Sequence, residues 1–379
     1  MRLDIDSSIS SISVKEINMK KLFQYVYKNG PVSKQELSIN LDLSFPTVNQ
    51  YLKKFEEIGA IIQYGTFQST GGRKAAAYIC NSSHAYSIGV YITRLFYIIT
   101  IINLIGEQIF SRKYIKTFEA TEDYGEEMNN DINEVIVSSK IDICKIKGIG
   151  FSIPGILKND DENIVVQFAP SLPYKNWSFD IISKYCNFPF IVDNDANLGG
   201  FCEAWEDNFK NSFAYIHIAG GVGGTIIIDG KTFLGNNNII AEFGHMIVEP
   251  HGNTCNCGRN GCLETYISTR VLSDNLNISL ETFFEELNNN KEYRKIFEDY
   301  LDFLCIGISN IRLILGLDVV VAGEITEYLI PYEDLIQKKL SQIDILDSDK
   351  YFRFSKIKRE NASSRGAALR VIESYLDQI

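Results

Sequence analysis

Three cysteines fall within eight positions, in the run Cys255-Asn256-Cys257-Gly258-Arg259-Asn260-Gly261-Cys262. Nothing else in the 379 residues narrows the fold so sharply. Thiols this close either oxidise to disulfides or share a metal ion. Residues 1–13 are polar and lack the apolar core of a secretory signal, so a cytoplasmic, reducing setting is expected and metal takes precedence. Three thiolates and one imidazole complete a tetrahedral zinc site, and the intervening glycines permit the tight turns it needs. With every position filled by protein, such a site is structural rather than hydrolytic. His245, ten residues upstream, and His251 both compete for the fourth position, and spacing does not choose between them. The remaining cysteines, at 80, 144, 186, 202 and 305, read as small buried apolar residues.

The first 80 residues have a different character from the rest. They carry ten Lys/Arg against seven Asp/Glu, whereas the other 299 carry 27 against 41, within a net charge of −11. A mildly basic head on an acidic body suits local phosphate contact by the head alone. Met19, Leu22, Phe23, Val26 and Tyr27 repeat with the period of an amphipathic helix, which Gly30-Pro31 stops. Ser33-Lys34-Gln35-Glu36 has the form of a capping box for a second helix. Ser44 caps a third, with Pro46 tolerated in its first turn and Val48, Leu52 and Phe55 facing inward. Two short strands, 60–64 and 74–79, then flank a glycine turn at 71–72. This is the winged helix-turn-helix plan, with 1–80 as the DNA-reading domain. Phe45, Thr47, Asn49 and Gln50 would face outward at the start of the third helix, where Asn and Gln can pair bidentately with adenine. Arg73 and Lys74 on the wing suit phosphate or minor-groove contact.

Residues 81–379 alternate strand-like and helix-like segments, which implies an α/β class with sites at strand ends. Strands are expected at 86–103, as an adjacent pair with Gly106 at their turn, and at 146–153, 190–192, 213–218 and, leaving the glycine run, 225–228, with a helix over 123–139. A softer boundary lies near Asn194. The run Ala219-Gly220-Gly221-Val222-Gly223-Gly224 lets backbone approach a ligand closely. No stretch approaches the ~20 consecutive apolar residues that span a bilayer, so no membrane partner is expected.

Glu242-Phe243-Gly244-His245, the Cys255–Cys262 run followed by Leu263-Glu264, and Asn194-Asp195-Ala196-Asn197 together resemble the ROK family of repressors and sugar kinases. The resemblance runs from about residue 15 to the C-terminus and is to the repressor branch. It implies a two-lobed actin-like, ribonuclease-H-like domain of the sugar-kinase type behind the winged head. One lobe would span about 85–193 plus a C-terminal helix of about 362–379, the other about 194–361. It also implies that Asn194, Asp195, Glu242, His245 and Glu264 grip sugar hydroxyls. The metal set becomes His245, Cys255, Cys257 and Cys262, with the second ring nitrogen of His245 facing the sugar. His251 has no counterpart and reads as a surface turn residue.

Asp195 also matches the base of the family's kinases, but the phosphate cradles have changed. Where the family has Asp-x-Gly-Gly-Thr this chain has Tyr91-Ile92-Thr93-Arg94-Leu95. Gly-Thr-Gly-x-Gly has become Ala219-Gly220-Gly221-Val222-Gly223, and Gly-Gly-Gly has become Ala322-Gly323-Glu324. Side chains where backbone must touch phosphate, and a carboxylate beside a nucleotide, both oppose ATP. The expected protein is therefore no enzyme. It is a regulator with operator DNA and a monosaccharide effector as partners, and a homodimer or tetramer. An ATP-dependent sugar kinase and a DNA-binding protein with a ligand-silent dimerisation body are the rivals.

Overall fold

The structure is a computed structural model, described here for residues 14–67, 74–160, 163–169, 171–172, 174–235, 240–345, 350–357 and 362–379. The head comprises α1 (Val14–Asn29), α2 (Lys34–Leu41), α3 (Phe45–Glu57) and the antiparallel pair β1 (Ile61–Thr66) and β2 (Ala76–Cys80). Local chemistry sets its boundaries. The Ser33 hydroxyl accepts from the Glu36 amide at 3.1 Å while the Glu36 carboxylate accepts from the Ser33 amide at 3.4 Å, so two otherwise orphaned donors at the start of α2 are satisfied. Ser44 caps α3 through the Thr47 amide. Leu22, Phe23, Val26, Leu37, Val48, Leu52 and Phe55 are buried as one cluster, with Phe23 and Phe55 ring centroids 5.1 Å apart. The tip of the wing, including Arg73, lies outside the described residues.

The body begins with β3 (Tyr86–Ile92), β4 (Phe96–Asn103) and β5 (Gln108–Ile115), followed by α4 (Glu122–Ser139) and β6 (Ile146–Ile153). A small antiparallel sheet follows, made of β7 (Ile156–Asp160), β8 (Asn163–Phe168) and β9 (Lys175–Ser178). Then come α5 (Asp180–Ser183), β10 (Phe190–Asn194) and α6 (Asp195–Glu206). The second half holds β11 (Phe213–Ile218), β12 (Val222–Ile228), β13 (Lys231–Phe233), α7 (Glu264–Ile267), α8 (Leu280–Glu286) and α9 (Lys291–Leu315). It closes with β14 (Asp318–Gly323), α10 (Thr326–Leu329), α11 (Glu333–Ile343), β15 (Phe352–Phe354) and α12 (Ala362–Gln378).

The two five-stranded sheets run β10-β6-β3-β4-β5 and β15-β14-β11-β12-β13. Each is an antiparallel three-strand meander extended on one side by two parallel strands, so one topology occurs twice. That duplication is the actin-like, ribonuclease-H-like plan. The C-terminal α12 packs on the first sheet against β3 and β6 and also on α6. A Cβ on Gly366 of α12 would overlap the Leu198 carbonyl of α6, so the two helices touch backbone to backbone.

Head and body share apolar core. Leu22 and Phe23 of α1 belong to the same buried cluster as Leu104, Phe201 and Cys202 of the body and Leu369 and Ile372 of α12. The Tyr27 hydroxyl donates to the Leu104 carbonyl at 3.0 Å, and its ring meets Trp205 edge-on at 6.2 Å. Lys20 pairs with Asp377 at 3.1 Å, and His84 lies 2.9 Å from the Tyr375 hydroxyl.

Three expectations need correction. The turn between β3 and β4 is Thr93–Leu95, closed by the Thr93 hydroxyl on the Phe96 carbonyl at 2.7 Å; Gly106 instead turns β4 into β5, an edge strand the sequence did not reveal. β12 starts at Val222, inside the glycine run, because Val222 and Gly223 already pair with β11. Cys144 is exposed in the short 3-10 turn Ile143–Lys145 and Cys186 half-buried in the loop after α5, so neither is a core residue. Among the described residues no helix is long and apolar enough to cross a membrane.

Candidate functional site

A cavity of about 630 Å³ lies between the two large sheets, and Asn194, Asp195, Glu242, His245 and Glu264 all line it. The end of β10 and the first turn of α6 deliver the first two. The Asn194 side chain is heavily used: its oxygen caps α6 on the Ala196 and Asn197 amides at 2.8 and 3.4 Å, and its amide nitrogen donates to the Gly155 carbonyl at 2.7 Å. One amide proton is left to face a ligand. Asp195 opens α6 as its first residue, and burial raises its carboxyl above the ordinary range, opposed by His217 and the Ala196 amide.

Glu242 stands before the short 3-10 turn Phe243–His245. Its residue is open at the cleft mouth, yet the protein around the carboxyl displaces water and raises its pKa; His245 opposes this, while Glu264 and Asp195 add to it. Glu264, the first residue of α7, is buried and accepts from the Cys255 thiol at 3.0 Å. Three carboxylates thus share one partly dry pocket, an arrangement suited to accepting hydroxyl protons from a polyol.

The cysteine run folds into a knuckle beside this pocket. Thr254 bridges Asn260, and Ile247 bridges Cys262, so the chain doubles back on itself. The ligand atoms of His245, Cys255, Cys257 and Cys262 all lie within 4.8 Å of one another. Cys255 Sγ is 3.7 Å from His245 Nδ1, and Cys257 Sγ is 3.7 Å from Cys262 Sγ. A tetrahedron with metal–sulfur bonds of about 2.3 Å has edges of about 3.8 Å, so these two pairs stand near tetrahedral spacing. Against a burial penalty, hydrogen bonds from Arg259 draw the Cys257 thiol down to about 6, which favours the thiolate a metal needs. The group fits a soft, tetrahedral metal ion. His251 is exposed in a turn outside it. Because Nδ1 of His245 faces the sulfurs and the residue also lines the cavity, one imidazole joins the knuckle to the pocket.

The altered loops line the same space. Arg94 and Leu95 are exposed at the β3–β4 turn, and Glu324 follows β14 and accepts from the Thr269 hydroxyl at 3.3 Å. Two lining residues carried no sequence signal, His217 in the apolar strand β11 and Arg270 in the 3-10 turn after α7. Each reaches the cleft through tertiary packing, which no local motif encodes.

In the head, Phe45 and Gln50 are exposed on α3, while Thr47 and Asn49 are half-buried. The Thr47 hydroxyl is 2.8 Å from that of Ser44, so the cap engages it. Lys74 is exposed at the base of the wing.

Fold and site together define a class: a winged-helix head carried on a duplicated α/β body of the sugar-kinase type, with a His/Cys3 knuckle beside the cleft. The chain belongs to the ROK family, whose model matches residues 88–373. A winged helix-turn-helix DNA-binding model matches residues 16–62. The chain is 24% identical over 383 residues to the xylose repressor of Bacillus subtilis (strain 168), covering 97% of each chain. The crystal structure of a ROK family transcriptional regulator, described as a homolog of the E. coli MLC protein, superposes with a TM-score of 0.76 at 21% identity, over 96% of this chain and 97% of that one. A ROK family glucokinase from Streptomyces griseus, solved with glucose and AMPPNP, superposes at 0.64 with 21% identity, over 76% of this chain and 99% of that one. The structural likenesses speak to fold alone; it is the head that sets the regulator apart from the kinase.

Proposed function

We propose that this chain is a sugar-responsive transcriptional repressor of carbohydrate-utilisation genes, whose head reads operator DNA and whose cleft takes a monosaccharide. The observation that carries the reading is physical continuity between the two. Helix α6 begins with Asp195 in the cleft and ends near Trp205, which packs against Tyr27 of α1. Its 12 residues form one rigid rod, and α12 is locked to it backbone to backbone. A sugar hydroxyl held by Asp195 can therefore shift α6 and, through it, the seat of the head. The ligand biases the head only by its differential affinity for the two arrangements.

Asn194, Asp195, Glu242, His245 and Glu264 are the proposed hydroxyl contacts. Phe45, Thr47, Asn49, Gln50, Arg73 and Lys74 are the proposed DNA contacts. The ion of the knuckle is proposed to be zinc, held by His245, Cys255, Cys257 and Cys262, supplying folding energy and holding the imbedded His245 ring in place for the sugar. Two heads in a homodimer, or pairs of them in a tetramer, would sit on half-sites roughly 34 Å apart, so a modest rotation ends specific binding. The setting is cytoplasmic.

Retention of Asp195 favours one second reading, an ATP-dependent sugar kinase. Arg94, Leu95 and Glu324 in the cleft oppose it, because phosphates need bare backbone and no nearby carboxylate. Selecting genomic fragments on the purified chain and footprinting them with a sugar panel tests the proposal. Sugar-dependent loss of protection is expected. Unchanged occupancy with every sugar, or robust ADP release with any of them, overturns it.

A further inference from the structure

The proposed hydroxyl contacts occupy one end of the cleft, and the cavity continues past them. The hairpin that joins β11 to β12 runs along it, and the glycines there give the order of what stands alongside. A Cβ on Gly223 would meet Ala196, next to Asp195, at 3.2 Å. One on Gly221 would meet the Glu264 carboxylate at 3.6 Å, and one on Gly220 the Arg270 guanidinium at 3.6 Å. Beyond Gly220 the Ala219 carbonyl accepts from the Thr269 amide at 2.8 Å, and the Thr269 hydroxyl donates to Glu324 at 3.3 Å. The cleft therefore leads from Asp195 past Glu264 to a far end made by Arg270 and Glu324, with Asp274, Ile278 and Leu280 on the same lining. At about 630 Å³ the whole cavity falls in the range of roughly 300–1,000 Å³ that holds drug-sized ligands, and one pyranose ring is far smaller than those.

The far end holds both signs of charge. Arg270 is half-buried, and among the described residues its guanidinium makes no ion pair and no hydrogen bond, so its donors are open to a ligand's oxygens. Glu324 and Asp274 are acceptors. The two carboxylates repel an anion, and the guanidinium repels a cation. A neutral polyol suits both, because its hydroxyls accept from the fork and donate to the carboxylates, while the C–H face of its ring packs on Ile278 and Leu280. We propose that this end is a second glycosyl subsite, so that the ligand held most tightly is a disaccharide or longer neutral glycoside. This rests on the sugar-binding reading above: the monosaccharide proposed there is the first ring, at Asp195, and the second ring lies between Arg270 and Glu324. The carboxylate that opposes a nucleotide phosphate thereby becomes a hydroxyl acceptor.

Calorimetry on the full chain decides the matter. Probes are glucose, xylose, mannose and N-acetylglucosamine, their methyl glycosides, and the disaccharides cellobiose, gentiobiose, maltose, isomaltose, xylobiose, mannobiose and chitobiose. At least one disaccharide should bind about tenfold or more tightly than both its parent sugar and that parent's methyl glycoside, the strength expected of one or two hydrogen bonds to charged groups. Which disaccharide gains identifies the linkage. R270Q should bring the ratio to about one with the parent's own affinity unchanged. E324Q, which still accepts a hydroxyl but without the charge, should leave an intermediate ratio. Circular dichroism of both variants should match the wild-type chain. Disaccharides binding no tighter than their parents, methyl glycosides gaining as much as disaccharides, or a ratio that survives R270Q would overturn the subsite and leave the monosaccharide reading standing. Silence toward every probe would overturn that reading itself, and the subsite with it.

Discussion

Replacing Tyr27 with Phe removes one hydroxyl from the junction of head and body and leaves the ring in place. That hydroxyl donates to the Leu104 carbonyl at 3.0 Å, and burial pushes its pKa far above the ordinary range, so it stays a neutral donor at any working pH. Leu104 is fully buried, so water does not readily replace the lost donor. Leaving such an acceptor unpaired costs about 1–3 kcal/mol. Because the bond crosses from α1 to the body, the cost falls on docking of the head rather than on either unit alone. One to three kcal/mol multiplies the undocked population by about 5–150. Operator affinity measured by fluorescence anisotropy, with and without a sugar that wild type answers, reads the consequence. In Y27F the ratio of the two affinities should fall toward one, while sugar affinity measured without DNA changes little. Faster amide exchange in α1 would accompany it. Should Y27F keep the full wild-type ratio, coupling does not pass through this junction and the route along α6 is wrong.

D195N removes a carboxyl whose pKa burial raises. A folded state that holds its proton more tightly than the unfolded chain is penalised at neutral pH, and the penalty is relieved as pH falls through the raised value toward the ordinary one near 4. Ligand-free D195N should therefore melt higher than wild type at pH 7, lose that advantage in acid, and bind no sugar; equal melting at pH 7 would refute the burial argument. For the metal, elemental analysis should find about one zinc per chain, and C257S should lose it and unfold the body at lower denaturant, since structural zinc contributes folding energy. Metal-free wild type with unchanged stability would contradict this. G366A drives a methyl into the Leu198 carbonyl and should cost about 1–3 kcal/mol in urea titration. Full stability in G366A would mean that α6 and α12 slide freely.

What could be read from the sequence was what short-range chemistry encodes. The caps of α2 and α3, the zinc-type run and the edges of β6 and β11 all came within a residue or two, because each depends on neighbours in the chain. β5 escaped because it is an edge strand, with Arg112 and Lys113 breaking its apolar pattern and most of its residues facing solvent. The small β7–β9 sheet escaped for a related reason, its strands being short and polar-flanked. The duplicated topology left no repeat in the sequence; it is visible only in strand order, since pairing tolerates any residues of suitable pattern.

The cleft divides along the same line. Its motif residues arrive at strand and helix ends, where local signals concentrate, but the head's seat depends on surfaces distant in sequence. The apolar stripe of α1 announced an inward face without saying that part of it would rest on Leu104 and Trp205, 77 residues and more away. That gap matters for function. A DNA reader and a sugar cleft merely fused in sequence would act independently, whereas a shared buried cluster means that neither can move without disturbing apolar contacts of the other. Packed cores shift between discrete arrangements rather than deforming smoothly, so under the proposed reading a small displacement of α6 at Asp195 would become a choice between two seats for the head.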